Sequence, residues 1–524
     1  MNFPAKKCIL ISVKAERERN EIEMGILDIF KSNKNTGNKA NIEALKELGY
    51  SENYIVKNKM ESLSHEDVEL LKADEEIRLV SEVLVKAKKM NFVEAFAKVR
   101  NAQENFGLKP SIYAFNGLYR KNDEVVREFV EKREAKQKRA VKRIAQVAGW
   151  TLEKSKEETE RAYEKFGVLP MEYYTELYYN LTDDEIAAKK EEEEKELQRC
   201  IDWVKSETGW TDYEVKLHRY YCRLAFGIVA HAYFPTRCWQ MDDKTLKTFA
   251  RQRDSKKLRD KYNDNKHNAL LANKVKFNMN FGELTGRKFW LNRDTSYEEF
   301  LEFVDGLDVL FCKPVNLSHA AGTRKVKVEG DLRALYEDLI SQPKTLVEEC
   351  VKQHHEMNEF YDNSVNTVRI FCVLDNDKFV PLAGFVRFGA NGVADNIVAG
   401  GVGCGLDVET GTIDTMAIDK WHDLHETHPV SGKKFEGFKI PNWDLVLEAA
   451  ERGLRHIEGI NYVGWDIAVC EDKAVLIEGN TLPSISTYQM FYGYKHEGKR
   501  YRFKKYLDSV GKEVLKSAVK EAKK

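Results

Sequence analysis

The sequence predicts a multidomain chain: an all-α N-terminal region of helical repeats, each about 60 residues long, followed by a C-terminal α+β domain. Three observations carry this. Phe106-Gly107, Phe166-Gly167 and Phe226-Gly227 recur at intervals of 60, as do Tyr113, Tyr173 and Tyr233. After about Lys257 the pattern changes to short β-rich runs separated by turns. Near the end, two apolar runs joined by Glu471-Asp472 carry acids at positions that otherwise read as buried strand.

In the first half, Gly149-Trp150 and Gly209-Trp210 also lie 60 apart, and acidic turn signals recur at Asn122-Asp123, Asp183-Asp184 and Asp242-Asp243. Self-similarity at a fixed period is the mark of stacked supersecondary units. Each unit reads as a helix after Gly-Trp, such as Thr151–Phe166, stopped by a glycine that tolerates positive φ. A short aromatic segment follows, such as Leu169–Tyr179, and Thr182 opens the next helix with acids in its first turn. Glu185–Lys205 reads as a long helix whose charged run Lys189–Glu196 is a solvated face. A degenerate unit precedes these, around Gly49-Tyr50 and Leu63–Asp67.

The expected strands of the second half are Val309–Lys313, Thr345–Val351, Thr367–Leu374, Val380–Phe388, Asn461–Cys470 and Ala474–Glu478, with helices at Asp331–Ser341 and Trp443–Ile457. The boundaries read as 1–85, an N-terminal helical segment; 86–256, the repeats; and 257–524, the α+β domain, with a small subdomain at about 290–350 and a large one at about 351–500. Residues 505–524 read as a basic helical tail.

Composition narrows the class of partner. Lys+Arg number 84 and Asp+Glu 85, so no global field points to nucleic acid. Nine cysteines without a CxxC pair fit reduced thiols in a cytoplasmic protein. No stretch approaches the ~18 apolar residues of a membrane span.

The chemistry gathers in the last hairpin. Alternation puts Glu478 and Asn480 on one face, and pairing brings Asp466 opposite them. Three oxygen ligands on one face suit Mg²⁺, which takes few carboxylates and leaves its other positions to water and phosphate. His422, His425 and His428 have metal-like spacing but read as a turn before Pro429, and His354-His355-Glu356 begins no HExxH motif.

Gly464–Asp466 with Glu478-Gly-Asn480 resembles the metal-binding strand pair of the ATP-grasp superfamily. The sequence resembles most its sugar-transfer-associated branch, found with cell-surface polysaccharide genes. The resembling phrases are Leu271-Ala-Asn-Lys274, Phe311-Cys-Lys313-Pro314, Leu346-Val-Glu-Glu349, Thr367-Val-Arg369, Asp395-Asn396, Gly400-Gly401, His428-Pro429 and the hairpin, in the expected order over about half the chain.

The resemblance implies roles. Lys274 and Lys313 match the two lysines that hold ATP phosphates, with Lys266 a rival to Lys274. Val315–Gly322 sits where a phosphate-covering loop belongs; it holds one glycine, so Ser318, His319 and backbone N–H groups would do the cradling. Glu348, Glu349, Cys350 and Val351 match the hinge that reads adenine. Arg369 lies on a strand that reads as buried on both sides, where an unpaired guanidinium is costly; a γ-phosphate or acylphosphate would supply its anion. Arg387, Asn396, Gly400 and Gly401 fall on the substrate side. Asp466, Glu478 and Asn480 are the metal ligands.

The function implied is an ATP- and Mg²⁺-dependent carboxylate–amine ligase that forms an amide through an acylphosphate. Its substrate would be a small-molecule, carrier-bound or peptide carboxylate, with a surface-polysaccharide precursor among the candidates. A phosphotransferase of the same fold and a degenerate binding protein are the alternatives. The helical repeats are expected to bind a substrate or protein partner.

Overall fold

The computed structural model describes residues 36–264, 266–315 and 322–508. Most of the expected tail at 505–524 therefore lies outside the described residues. The chain divides into two compact units, one of residues 1–230 with 238–246, the other of residues 231–237 with 247–524. About half the chain is helical, with an all-helical N-terminal unit and a C-terminal unit built on two sheets. No described helix is long and apolar enough to cross a membrane.

The N-terminal unit sets short helices between pairs of long ones. Leu152–Phe166 starts at Thr151, whose side chain accepts from Lys154 N, and ends at Gly167 with φ +66. Asp183–Thr208 starts at a reciprocal cap in which Thr182 and Glu185 satisfy each other's backbone N–H. Between them Pro170 opens the short helix Pro170–Thr175, its fixed φ suited to a first helical turn. One apolar cluster joins Ile144, Tyr173, Tyr178 and Ile186; another runs from Leu45 through Phe96 to Val126.

The smaller sheet of the C-terminal unit has four antiparallel strands: β1 Phe289–Leu291, β2 Val309–Pro314, β3 Arg324–Lys327 and β4 Thr345–Glu349, in the order β1-β4-β2-β3. Helices Tyr297–Val304 and Leu332–Ser341 supply Phe300, Phe303, Tyr336 and Leu339 to a core with Trp290, Leu310, Cys312 and Val347. Strand alternation then turns Phe311, Lys313 and Glu348 to the opposite face.

The larger sheet holds β5 Thr367–Asp375, β6 Lys378–Phe388, β7 Val402–Asp407, β8 Thr412–Ile413, β9 Ala417–Ile418, β10 Leu424–His425, β11 Tyr462–Val469 and β12 Ala474–Asn480. The path is β10-β9-β7-β6-β5-β11-β12, with β8 on β7 and every pair antiparallel. One face packs Ile370, Trp465 and Ile467 against helices Trp443–His456 and Lys274–Thr285. The other packs Phe371, Phe385, Tyr488, Phe491 and Tyr492.

The segment 393–403, which carries Asp395, Asn396, Gly400 and Gly401, runs into β7, which begins at Val402. Its Val-Gly-Cys-Gly pattern hides the strand. A Cβ on Gly403 would sit 2.8 Å from Phe491 Cζ, and one on Gly405 2.7 Å from Tyr492 Cζ. Aromatic rings thus occupy the space that side chains take elsewhere. Strands β1 and β3, of 3 and 4 residues, also escape a sequence reading because so short a run carries no period.

Candidate nucleotide and metal site

The site forms at one end of the larger sheet, on the face that bears Phe385. Register puts Asp466 opposite Arg369 on β5 and opposite Glu478 on β12, while Gly464 pairs with Asn480. Residues two apart on one strand share a face, so Arg369, Arg387, Asp466, Glu478 and Asn480 all point the same way.

Asp466 is 2% exposed and is the centre of a charge network. Arg369 Nε bonds Asp466 Oδ1, and Arg369 and Arg387 each bring a terminal nitrogen to 2.7 Å from Oδ2. Burial alone would raise this carboxyl, but the two guanidiniums outweigh burial and hold it well below the usual range. From sequence, Arg369 awaits a phosphate. In the structure it has a protein anion, Asp466, with Glu478 Oε1 a further 3.6 Å contact.

Arg387 also faces Asp395, Nε to Oδ2 at 3.5 Å, and donates to Thr367 Oγ1 at 2.8 Å. Asp395 in turn bonds the Thr367 hydroxyl and accepts from Thr367 N at 3.0 Å. That pins the loop before β7 to the start of β5. In this loop Asn396 accepts from Val398 N at 3.0 Å, a local cap, and Gly400 sits at φ +98. Gly401 is packed tightly: a Cβ there would lie 2.8 Å from Phe388 O and closer still to Asp395 O.

Glu478 is half-exposed, and Asn480 Nδ2 donates to its Oε1 at 3.2 Å. Its carboxyl is raised, first by loss of solvent around the charged oxygens and then by the charge of Asp466. Arg369 and Arg387 stand against Asp395, Asp466 and Glu478, two positive charges against three negative. A divalent cation bound by the oxygens of Asp466, Glu478 and Asn480 would relieve the Glu478 repulsion and turn the surplus positive. The donor set therefore fits a hard cation such as Mg²⁺.

On the smaller sheet, Lys313 Nζ lies 2.5 Å from Glu348 Oε2. Glu348 is 1% exposed, and Arg287 grips its other oxygen, NH2 to Oε1 at 2.7 Å. Burial works against the ionised form, yet Lys313 and Arg287 hold the carboxyl at about 2. Lys274, the first residue of its helix, donates to Pro314 O at 3.0 Å. Its ammonium is lowered by burial and then by Lys313, and raised by Glu478 and Glu348. Lys274 thus shares a field with both sheets' acids, whereas Lys266 is exposed on a turn.

At the hinge, Glu349 N donates to Lys288 O at 2.9 Å and Cys350 N to Val309 O at 3.3 Å, so both amides already serve the sheet. Val351 follows, half-buried. Ser318 and His319 lie outside the described residues.

Sequence reasoning misses Arg287, Thr367 and the role of Asp395. Arg287 carries no motif; only its place between Gly286 and a three-residue strand distinguishes it. His425 meets Asp419 at 3.0 Å and buried His428 meets Gly389 O at 2.8 Å. His354, His355 and Glu471 are the one three-residue group of possible His, Cys, Asp or Glu ligands among the described residues. There Glu356 N donates to His354 Nδ1 at 3.2 Å, and His354 Nε2 faces Glu471 Oε2 at 3.4 Å. An accepting Nδ1 leaves the ring proton on Nε2. Two histidine–carboxylate contacts account for that group.

Residues 318–504 match the model of a family described as sugar-transfer associated ATP-grasp. The matched segment belongs to the ATP-grasp superfamily. Within that superfamily, the sugar-transfer-associated family is the one it resembles. No curated protein matches the chain. Among solved structures it is similar to D-alanyl-alanine synthetase A from Vibrio cholerae, at 16% identity over 46% of this chain and 64% of that one, TM-score 0.29. It is similar to the ATP-grasp ligase PsnB complexed with minimal precursor, at 16% identity over 44% and 57%, TM-score 0.27. It is also similar to D-alanine–D-alanine ligase from Bacillus anthracis, at 12% identity over 47% and 69%, TM-score 0.28. The match to each of the first two spans less than two thirds of that protein's length.

Proposed function

We propose that the C-terminal unit binds MgATP and activates a substrate carboxylate for attack by an amine, as a ligase that forms an amide through an acylphosphate. The observation that carries this is the shared face of Asp466, Glu478, Asn480, Arg369 and Arg387, with Lys274 and Lys313 in reach of its field.

In this reading Lys274 and Lys313 hold ATP phosphates as point charges. Glu348, Glu349, Cys350 and Val351 border the base, through carbonyls and the Val351 backbone more than through the committed amides. Asp466, Glu478 and Asn480 hold Mg²⁺, which when bound neutralises phosphate charge. Arg369, locked by Asp466, and Arg387 present fixed positive charge where the phosphoryl group transfers, and such transfers depend mainly on positioning and electrostatics. Asn396, Gly400 and Gly401 line the substrate side, where Gly401 lets backbones approach. Ser318 and His319 are assigned to the phosphate loop by the family resemblance.

We further propose that residues 1–85, 86–256 and 257–524 are the functional divisions, and that residues 86–256 are helical repeats acting in the cytoplasm on a carrier-bound, peptide or polysaccharide-precursor substrate. Equal 15-residue helices at Phe92–Phe106, Leu152–Phe166 and Asp212–Phe226, each ended by a left-handed glycine, support the repeat. So do Gly117 and Leu177, 60 apart and both left-handed. A chain lacking residues 1–226 that ligates free but not carrier-bound substrate would support the platform role; equal rates on both would contradict it.

The test of the ligase reading is ATP turnover by the Asp466→Asn/Glu478→Gln double variant. Turnover should fall by at least ~100-fold, as for loss of charge-stabilising groups elsewhere. Unchanged turnover would remove the metal assignment.

A further inference from the structure

We propose that Arg287 is a positioning residue of the nucleotide site: it takes up the charge of Glu348 so that Lys313 keeps its own charge free for phosphate. This rests on the nucleotide reading above and adds a residue that neither the motifs nor the family match single out.

Arg287 is 3% exposed and every donor it has is engaged. Nε and NH2 reach Glu348 Oε1 at 3.0 and 2.7 Å. NH1 reaches Leu476 O at 2.8 Å and Thr285 O at 3.2 Å, and NH2 reaches Ile477 O at 3.5 Å. Leu476 and Ile477 stand on β12 just before Glu478. The guanidinium is thus fixed by the strand that carries Glu478 and Asn480, and its fork fixes a carboxylate on β4.

The division of Glu348 is the telling feature. Arg287 holds Oε1 and Lys313 holds Oε2. Two cations share one anion, so the group carries a net positive charge. A lysine paired one to one with a buried carboxylate would be neutralised and would compete poorly for phosphate. With Arg287 present, Lys313 can leave Oε2 for a phosphate oxygen while Glu348 keeps a charged partner. Without Arg287 the same move would strand a buried carboxylate, a costly arrangement. Arg suits this place because its planar fork engages a carboxylate and two strand carbonyls together, which an ammonium cannot do.

The experiment is titration of the full-length chain with ADP, with and without Mg²⁺, for the wild type, Arg287→Met, and the double variant Arg287→Met/Glu348→Gln. Thermal unfolding of each checks that it is folded. The expected result is an ADP affinity weakened by at least roughly 30-fold in Arg287→Met, the low end for removing one partner of a buried charge pair. The double variant, with the competing carboxylate gone and the Glu348 backbone that borders the base kept, should bind ADP several-fold more tightly than Arg287→Met. A purely structural Arg287 would not be rescued by Glu348→Gln, so a double variant as weak as the single one overturns the proposal. Wild-type affinity in Arg287→Met also overturns it while leaving the nucleotide reading intact. A wild-type chain that binds no ADP overturns both. If Arg287→Met does not fold, Arg287→Lys decides: an ammonium cannot engage Glu348 Oε1 and the two strand carbonyls together, so ADP affinity should fall by roughly 10-fold, and wild-type affinity contradicts the proposal.

Discussion

Replacing Asp466 by Asn isolates the charge at the centre of the site while keeping its shape. Asp466 is 2% exposed, and three of its contacts go to guanidinium nitrogens of Arg369, 8% exposed, and Arg387, 16% exposed. Removing one partner of such a buried pair costs about 3–5 kcal/mol. The lower end applies, because Arg387 keeps Asp395 at 3.5 Å and Arg369 keeps Glu478 at 3.6 Å. A loss of about 3 kcal/mol lowers the Tm of a unit of this size by roughly 5 °C. The pH dependence has a definite sign. Asp466 is depressed in the folded state, so its stabilisation is complete above the unfolded carboxylate pKa and lost only as pH falls through the folded value. Calorimetric or circular-dichroism melting of wild type and Asp466→Asn should therefore show a constant gap from about pH 5 to 8 that narrows below about pH 4. Equal Tm values at pH 7, or a gap that widens on acidification, would refute the network as the source of stability.

Other perturbations separate structural from ligand-holding groups. Glu478→Gln should leave Tm unchanged or slightly raised, because it removes a carboxylate that repels Asp466, yet should abolish the Mg²⁺ enhancement of nucleotide binding; calorimetry with and without Mg²⁺ reads this. In the wild type that enhancement should fade on acidification, since Glu478, raised by loss of solvent and by Asp466, must lose its proton to bind a cation. Lys274, lowered by burial and by Lys313, should lose its proton at a lower pH than a free lysine. ADP affinity should therefore fall on the alkaline side in wild type and not in Lys274→Met, as an ADP titration from neutral into alkaline buffer would show. Gly401→Ala places a methyl 2.8 Å from Phe388 O. It should displace the loop or cost about 1–3 kcal/mol, measurable by melting.

Much of the fold is legible because long elements carry their period. The run from Thr182 into Asp183–Thr208 announces a capped helix, and Tyr462–Val469 announces a strand by an apolar run broken only at Asp466. The hairpin ligands are legible because acids interrupt that character and pairing is local: Asp466 meets Glu478 across a short turn. What stays hidden depends on contacts between residues far apart in sequence. Arg369 meets Asp466 across 97 residues and Arg287 meets Glu348 across 61. Nothing in the sequence tells a buried arginine whether its anion is a phosphate or an aspartate. Strand β7 is hidden for a related reason, since its glycines answer to rings at Phe491 and Tyr492 that arrive from another part of the chain.

The central claim, that this site uses ATP to activate a carboxylate, is tested most directly by counting products. The full-length chain is incubated with MgATP and a panel of amino acids, uronic acids and short peptides, and ADP and free phosphate are measured together. The account predicts ADP and phosphate in equal amounts, dependent on both a carboxylate and an amine, with an amide product of matching yield. ADP without free phosphate would mark a phosphotransferase, and neither product under any combination would mark a binding protein; either result would contradict the account.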